Sequence, residues 1–320
     1  MKNPENTFKT VLVGRYSLNL PQDAVMSGAS LELRGVPLSM TPGYIKARML
    51  QDAQKTWSII ESRNAGNKEQ TATQEKLDNG TLLYTYDHTR IAGQDIDGSV
   101  VNKVVHSTLA FQWKDNMKFE LGNDSTLNKD EQIRLITKEL TQGNNSVDDG
   151  LCYVNGCFPY SGSDEGIYID FTFTDKPKLR AKFSSQHYGG DVNPPLSKRH
   201  DAPPTFQEQS KWLVKSEFEH RIYRNAKKML NGLAGEEIIE ASTKKRREGY
   251  LTEINAIWYY PGVPNSNEKP EIRLNLDYSF VSEQKPAGGT GLPNSDEFGV
   301  LTEAEFMTIW DNALDSLKLR

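Results

Sequence analysis

The chain has 320 residues, 36% of them hydrophobic and 25% charged, a length and balance that suit one or two soluble globular domains and exclude a disordered chain. No stretch approaches the roughly 18 consecutive apolar residues of a membrane-spanning helix. The formal net charge of −5 gives no electrostatic footprint for nucleic acid, and the basic run KKRRE at 244–248 reads as a solvated turn.

In chain order, the N-terminal MKNPENTFKT has no apolar signal segment. That suits a cytosolic protein, or an exported one whose signal has been removed. VLVGRYSLNLP alternates well enough to predict a strand ending at Pro21. TPGYIKARMLQDAQKTWSII then predicts a helix, with Thr41 as cap and Pro42 at the first helical position. Its buried face would hold Ile45, Met49, Ala53, Trp57 and Ile60. Strands follow in TLLYTYDHT, VVNKVVHSTLAFQW and MKFEL, and a second helix from near Asn128 would bury Ile133, Ile136 and Leu140. QGNNSVDDG at 142–150 is almost devoid of apolar residues and marks a domain boundary.

Beyond it, GIYIDFTFTDKP places Ile167, Ile169, Phe171 and Phe173 on one face of a strand with one wet side. A proline-rich loop leads to a long helix expected from about 206 to 230, opened by a Thr205–Glu208 capping box. Phe218, Ile222, Ala226, Met229 and Leu230 would form its buried stripe. Strands are expected in GEEIIEAS, GYLTEINAIWYY and EIRLNLDYSFV. A final helix, capped by Thr302 with Glu305, presents Phe306, Ile309, Trp310, Ala313, Leu314 and Leu317 to the core. The expected fold is α+β: an N-terminal domain over 1–145 and a C-terminal domain over 150–320, each a largely antiparallel sheet packed with long helices.

No catalytic constellation emerges. The five histidines, at 88, 106, 187, 200 and 220, form no metal-binding pair, and YSGSDEG has the wrong spacing for a nucleophile elbow. GQDIDGSV lacks the terminal chelating carboxylate of a calcium loop. The chain therefore reads as a non-enzyme without metal or cofactor. Its two cysteines, Cys152 and Cys157, lie in GLCYVNGCFPYSGSDEG. Two cysteines alone cannot complete a structural zinc site, and the spacing is not that of a C-x-x-C redox centre. A disulfide across a short Asn-Gly turn fits best, and it would place the protein in an oxidising compartment. The alternative is a pair of free buried thiols.

Four stretches taken in order over nearly the whole chain carry a family resemblance: VGRYSLNLPQDA, GLCYVNGCFPYSGSDEGIYIDFTF, NGLAGEEIIEAS and WDNALDSLKLR. Together they resemble the Tli4 family, immunity proteins that neutralise phospholipase effectors of the type VI secretion system. The resemblance implies a two-domain α+β protein that binds the cognate effector in the periplasm and has no catalytic residues. Family members usually carry an export signal, often a lipoprotein one. The expectation here is thus a periplasmic chain whose signal has been removed, with a lipid anchor on the native N-terminus; a cytoplasmic form is the other option.

Competing with lipid for an apolar cleft calls for protruding loops with aromatic or aliphatic anchors. Candidate contacts are Tyr188 and Pro194 in the proline-rich loop, Tyr259, Tyr260 and Val263 in a loop at the end of GYLTEINAIWYY, and Leu292 and Phe298 in a loop near the end. Two other readings fit the same sequence. One is a cytosolic adaptor or chaperone that keeps or activates the same lipase before export; the other is a periplasmic lipid or lipoprotein carrier.

Overall fold

A computed structural model describes residues 8–64, 71–94, 98–123, 128–142, 150–153, 156–159, 165–187, 194–198, 218–266, 268–286, 290–294 and 299–320. The chain opens with β1 (Phe8–Val13) and β2 (Tyr16–Pro21), which pair antiparallel. VLVGRYSLNLP is therefore a hairpin with its flank, where one strand was expected. Gly14 makes the break: its φ is +66°, and a Cβ there would meet Cγ2 of Ile167 at 2.8 Å.

Contacts divide the chain into two units, the first comprising Met1–Ser27, Asp148–Asn155 and Gly166–Arg320, the second Gly28–Val147 and Gly156–Glu165. In the second unit, β4 (Val36–Pro42), β5 (Thr73–Lys76), β6 (Leu82–Gln94), β7 (Val100–Lys114) and β8 (Met117–Asn123) form antiparallel sheet in the order β4-β8-β7-β6-β5. β3 (Ala24–Leu33) pairs antiparallel with β4 through Ala29–Leu33. Helix α1 (Lys46–Asn64) lays Met49, Ala53 and Ile60 against Tyr84, Tyr86 and Phe111 of this sheet. Helix α2 (Asp130–Gln142) buries Ile133, Ile136 and Leu140, as its spacing predicts.

Thr41 and Pro42 do not begin α1. They close β4, where Thr41 stands opposite Lys118 and Pro42 opposite Met117. A proline at the end of a strand loses little, because the ladder has no further bond to make there. Ile45 precedes the helix and is 61% exposed, so it is not part of the buried face.

In the first unit, β11 (Gly166–Phe173), β12 (Arg180–Gln186), β13 (Phe218–Leu230), β14 (Leu233–Arg246), β15 (Gly249–Tyr260) and β16 (Glu271–Ser282) pair antiparallel in the order β13-β14-β15-β16-β12-β11. β9 (Leu151–Tyr153) belongs to this unit and β10 (Gly156–Phe158) to the second, and the two-residue β17 (Lys318–Leu319) joins the β1-β2 hairpin beside β2. Helix α3 (Glu303–Asp315) carries the expected Thr302–Glu305 capping box and buries Phe306, Ile309, Trp310, Ala313 and Leu314. Leu317, just past it, is buried too.

The long helix expected over 206–230 is corrected here: 218–230 is strand β13, and 206–217, with the Thr205–Glu208 box, lies outside the described residues. The fold is thus α+β and mostly antiparallel sheet, but the C-terminal half holds one long helix among the described residues, not two. A register shift between Ile222 and Arg224 breaks the period-2 alternation of β13. The interrupted pattern mimics helical spacing, and pairing with β14 along its length decides the outcome.

Candidate functional site

Cys152 in β9 and Cys157 in β10 are joined as a disulfide and buried. β9 is tied to the start of the chain, since Gly14 N donates to Cys152 O at 2.6 Å and Cys152 N to Gly14 O at 2.9 Å. Arg320 closes over it: one guanidinium nitrogen, Nη2, lies 2.8 Å from Gly150 O and 2.8 Å from Cys152 Sγ.

The contact residues expected from sequence fall into three groups. Tyr259, Tyr260 and Leu292 are buried; the Tyr259 hydroxyl donates to Glu271 at 2.6 Å, and Leu292 N donates to the Tyr223 hydroxyl at 3.2 Å. Pro194 and Val263 are exposed. Val263 sits on the 261–270 loop, held by its N–H donating to Lys269 O at 2.8 Å. Tyr188 and Phe298 lie outside the described residues.

Several hollows open on the first unit among the described residues. One, of about 470 Å³, lies on the wet face of the sheet. Strand register lines up Glu240, Asn255, Asp277 and Arg180 straight across β14, β15, β16 and β12. Around that row, His220 Nε2 is 2.9 Å from Glu240 Oε2, Lys182 Nζ is 3.2 Å from Asp277, and Asn255 Nδ2 donates to Asp277 at 2.7 Å. Carboxylates gather toward β14 and cations toward β12, a surface suited to ion pairing and hydrogen bonding.

Another hollow, of about 370 Å³, lies where β2, the β13–β14 turn, the 261–270 loop and β17 meet. Tyr16, Leu230 and Leu317 are its buried apolar residues, and burial pushes the Tyr16 phenol up to about 12, so it stays neutral. Sequence reasoning missed both hollows because strand partners far apart in sequence build them. The alternating polar positions of β12, β14, β15 and β16 were the one signal for the first. Among the described residues, no group of three or more His, Cys, Asp or Glu side chains could hold a metal ion, and no helix is long and apolar enough to cross a membrane.

Fold and surface define a largely antiparallel α+β protein with a buried disulfide and open surface hollows. The family described as Tle cognate immunity protein 4 C-terminal domain matches residues 147–320. That is more than half of the chain, which belongs to this family. The fold is shared with solved structures. The crystal structure of a Tle4-Tli4 complex contains a chain with a TM-score of 0.64 at 15% identity, covering 99% of each chain. The apo immunity protein TplEi of the type VI secretion system from Pseudomonas aeruginosa gives 0.59 at 16% identity, covering 99% of this chain and 98% of that one. The same protein complexed with an "L" peptide gives 0.58 at 16% identity over 98% of both chains. No curated protein sequence matches the chain.

Proposed function

We propose that this protein binds a cognate type VI secretion phospholipase effector and neutralises it, protecting the cell that makes both. Membership of the Tle-cognate immunity family over residues 147–320 carries the reading, and the structure of a Tle4-Tli4 complex supports it. The protein acts by binding and performs no chemistry of its own. Its place is the periplasm, in keeping with the disulfide between Cys152 and Cys157.

The chain works as two domains, 1–145 and 150–320, a division supported by a family match that begins at 147. Of the expected contacts, Pro194 and Val263 offer exposed surface for the effector, and Tyr188 and Phe298 complete the set of contact residues. Tyr259, Tyr260 and Leu292, being buried, serve it by holding the loops that follow or precede them.

The test is co-purification with the phospholipase encoded beside it, with lipase activity measured free and bound. The expected result is a stable complex with stoichiometric loss of activity. A complex with retained or raised activity would replace inhibition by the adaptor role, and no complex would overturn effector binding.

A further inference from the structure

We infer that the hollow of about 370 Å³ beside β17 is the socket for one aliphatic or aromatic side chain of the effector, presented next to a carboxylate. The assignment rests on the effector-binding function proposed above. Its walls combine the buried Tyr16, Leu230 and Leu317 with the half-buried Leu233 and with Leu319, which is 51% exposed. An aliphatic side chain left that open at the mouth of an apolar hollow gains by being covered.

The rim identifies the occupant's charge. Among the described residues, Lys269 and Lys318 border the hollow with one carboxylate, Glu268, on a chain whose net charge is −5. This local reversal of sign favours an acidic group beside the apolar one. Two edges converge there: β17 is the outer strand of its three-stranded sheet, and β13 and β14 turn at Asn231 and Gly232. The exposed Val263 lies on the same loop that contributes Glu268 and Lys269, so the surface runs on beyond the hollow.

Burying one leucine- or phenylalanine-sized group is worth roughly ten- to a hundredfold in affinity. It is the size of effect by which one anchor residue contributes to a protein interface.

The experiment measures binding of the cognate phospholipase to the full chain by surface plasmon resonance, with thermal melting as a check on folding. Leu319→Asp is expected to weaken the complex at least about tenfold, with folding retained because the side chain is half in solvent. Leu319→Met should bind as the wild type does. Lys269→Glu with Lys318→Glu should slow association and reduce its dependence on salt.

Folded Leu319→Asp and charge-reversed variants with wild-type affinity would overturn the socket while leaving effector binding intact. Failure of the wild type to bind would overturn both. If the free protein sediments as a dimer that Leu319→Asp dissolves, a second copy fills the hollow and the assignment to the effector falls.

Discussion

Three successive residues, Gly235, Glu236 and Glu237, show how a local motif is set by distant partners. A Cβ on Gly235 would lie 2.5–2.6 Å from three atoms of the Trp258 indole, a ring that is fully buried and donates its Nε1–H to Lys228 O at 3.0 Å. Glu236 accepts from Ser197 N and from Ser197 Oγ, both at 2.9 Å. Glu237, only 4% exposed, accepts from Trp310 Nε1 at 2.7 Å and from Arg224 Nη1 at 3.3 Å. Gly235→Ala should force the indole from its site and cost about 1–3 kcal/mol in overpacking. Trp310→Phe keeps most of the ring volume but leaves a buried carboxylate one donor short, a loss of about 1–3 kcal/mol. Urea denaturation of each variant, read as a fall in midpoint at constant slope, checks both. The sequence shows GEE as the start of a strand; its reason does not show, because Trp258 and Trp310 belong to other elements.

At the scale of elements, period was legible where one face meets the core, and capping was legible for α3 but not for α1, whose expected cap closes β4. The Thr302–Glu305 box, the stripe of α3 and the alternation of β11 are all visible in one dimension. β13 was not, although its best signal was present: Asn231 and Gly232, with φ of 48° and 83°, make the Asn-Gly hairpin turn that joins it to β14. Helix α2 is docked by its first residue. Asp130 Oδ1 lies 2.7 Å from His106 Nε2 and accepts from Thr108 Oγ1 at 2.9 Å. Burial raises the Asp130 pKa, but the bonds from His106 and Thr108, helped by the charge of His106, outweigh it and hold the carboxyl below its usual value. A carboxylate depressed in the folded state adds stability above its unfolded pKa, near 3.8, and loses it as pH falls through the folded value. Thr108→Val, a near-isosteric change at a buried position, removes one of those bonds. The acid limb of the stability curve should therefore move to higher pH, with little change in its shape near neutrality beyond a uniform loss; circular dichroism across an acid titration measures it.

For the molecule as a whole, the decisive events are closures that periodicity cannot reveal. Residues 1–27 group by contacts with 166–320, and one link is a strand of two residues, Lys318 and Leu319, opposite Ser17 and Tyr16. Arg320 completes it, with its main-chain N donating to Arg15 O at 3.1 Å and its Nη2 donating to Gly150 O at 2.8 Å, beside Cys152 Sγ. So Arg320, β9 and the turn after β1 meet at one place. Closing a ring as small as that between Cys152 and Cys157 is worth roughly 2 kcal/mol by the chain-entropy account. Cys152→Ser with Cys157→Ser should cost about that much. Arg320→Ala should cost roughly 1–2 kcal/mol through the lost charge-assisted bond to Gly150. A disulfide sulfur is a weak acceptor, so its direct contact with Arg320 contributes less than the carbonyl does. The two changes still share one neighbourhood: without the disulfide, the segment that holds Gly150 O under the guanidinium is less constrained. The combined variant should therefore lose less than the sum of the separate losses, with a coupling of about 0.5 kcal/mol or more. Additive losses would mean that the pairing of β9 with Gly14 alone fixes Gly150, and that the C-terminal residue and the disulfide stabilise the chain independently.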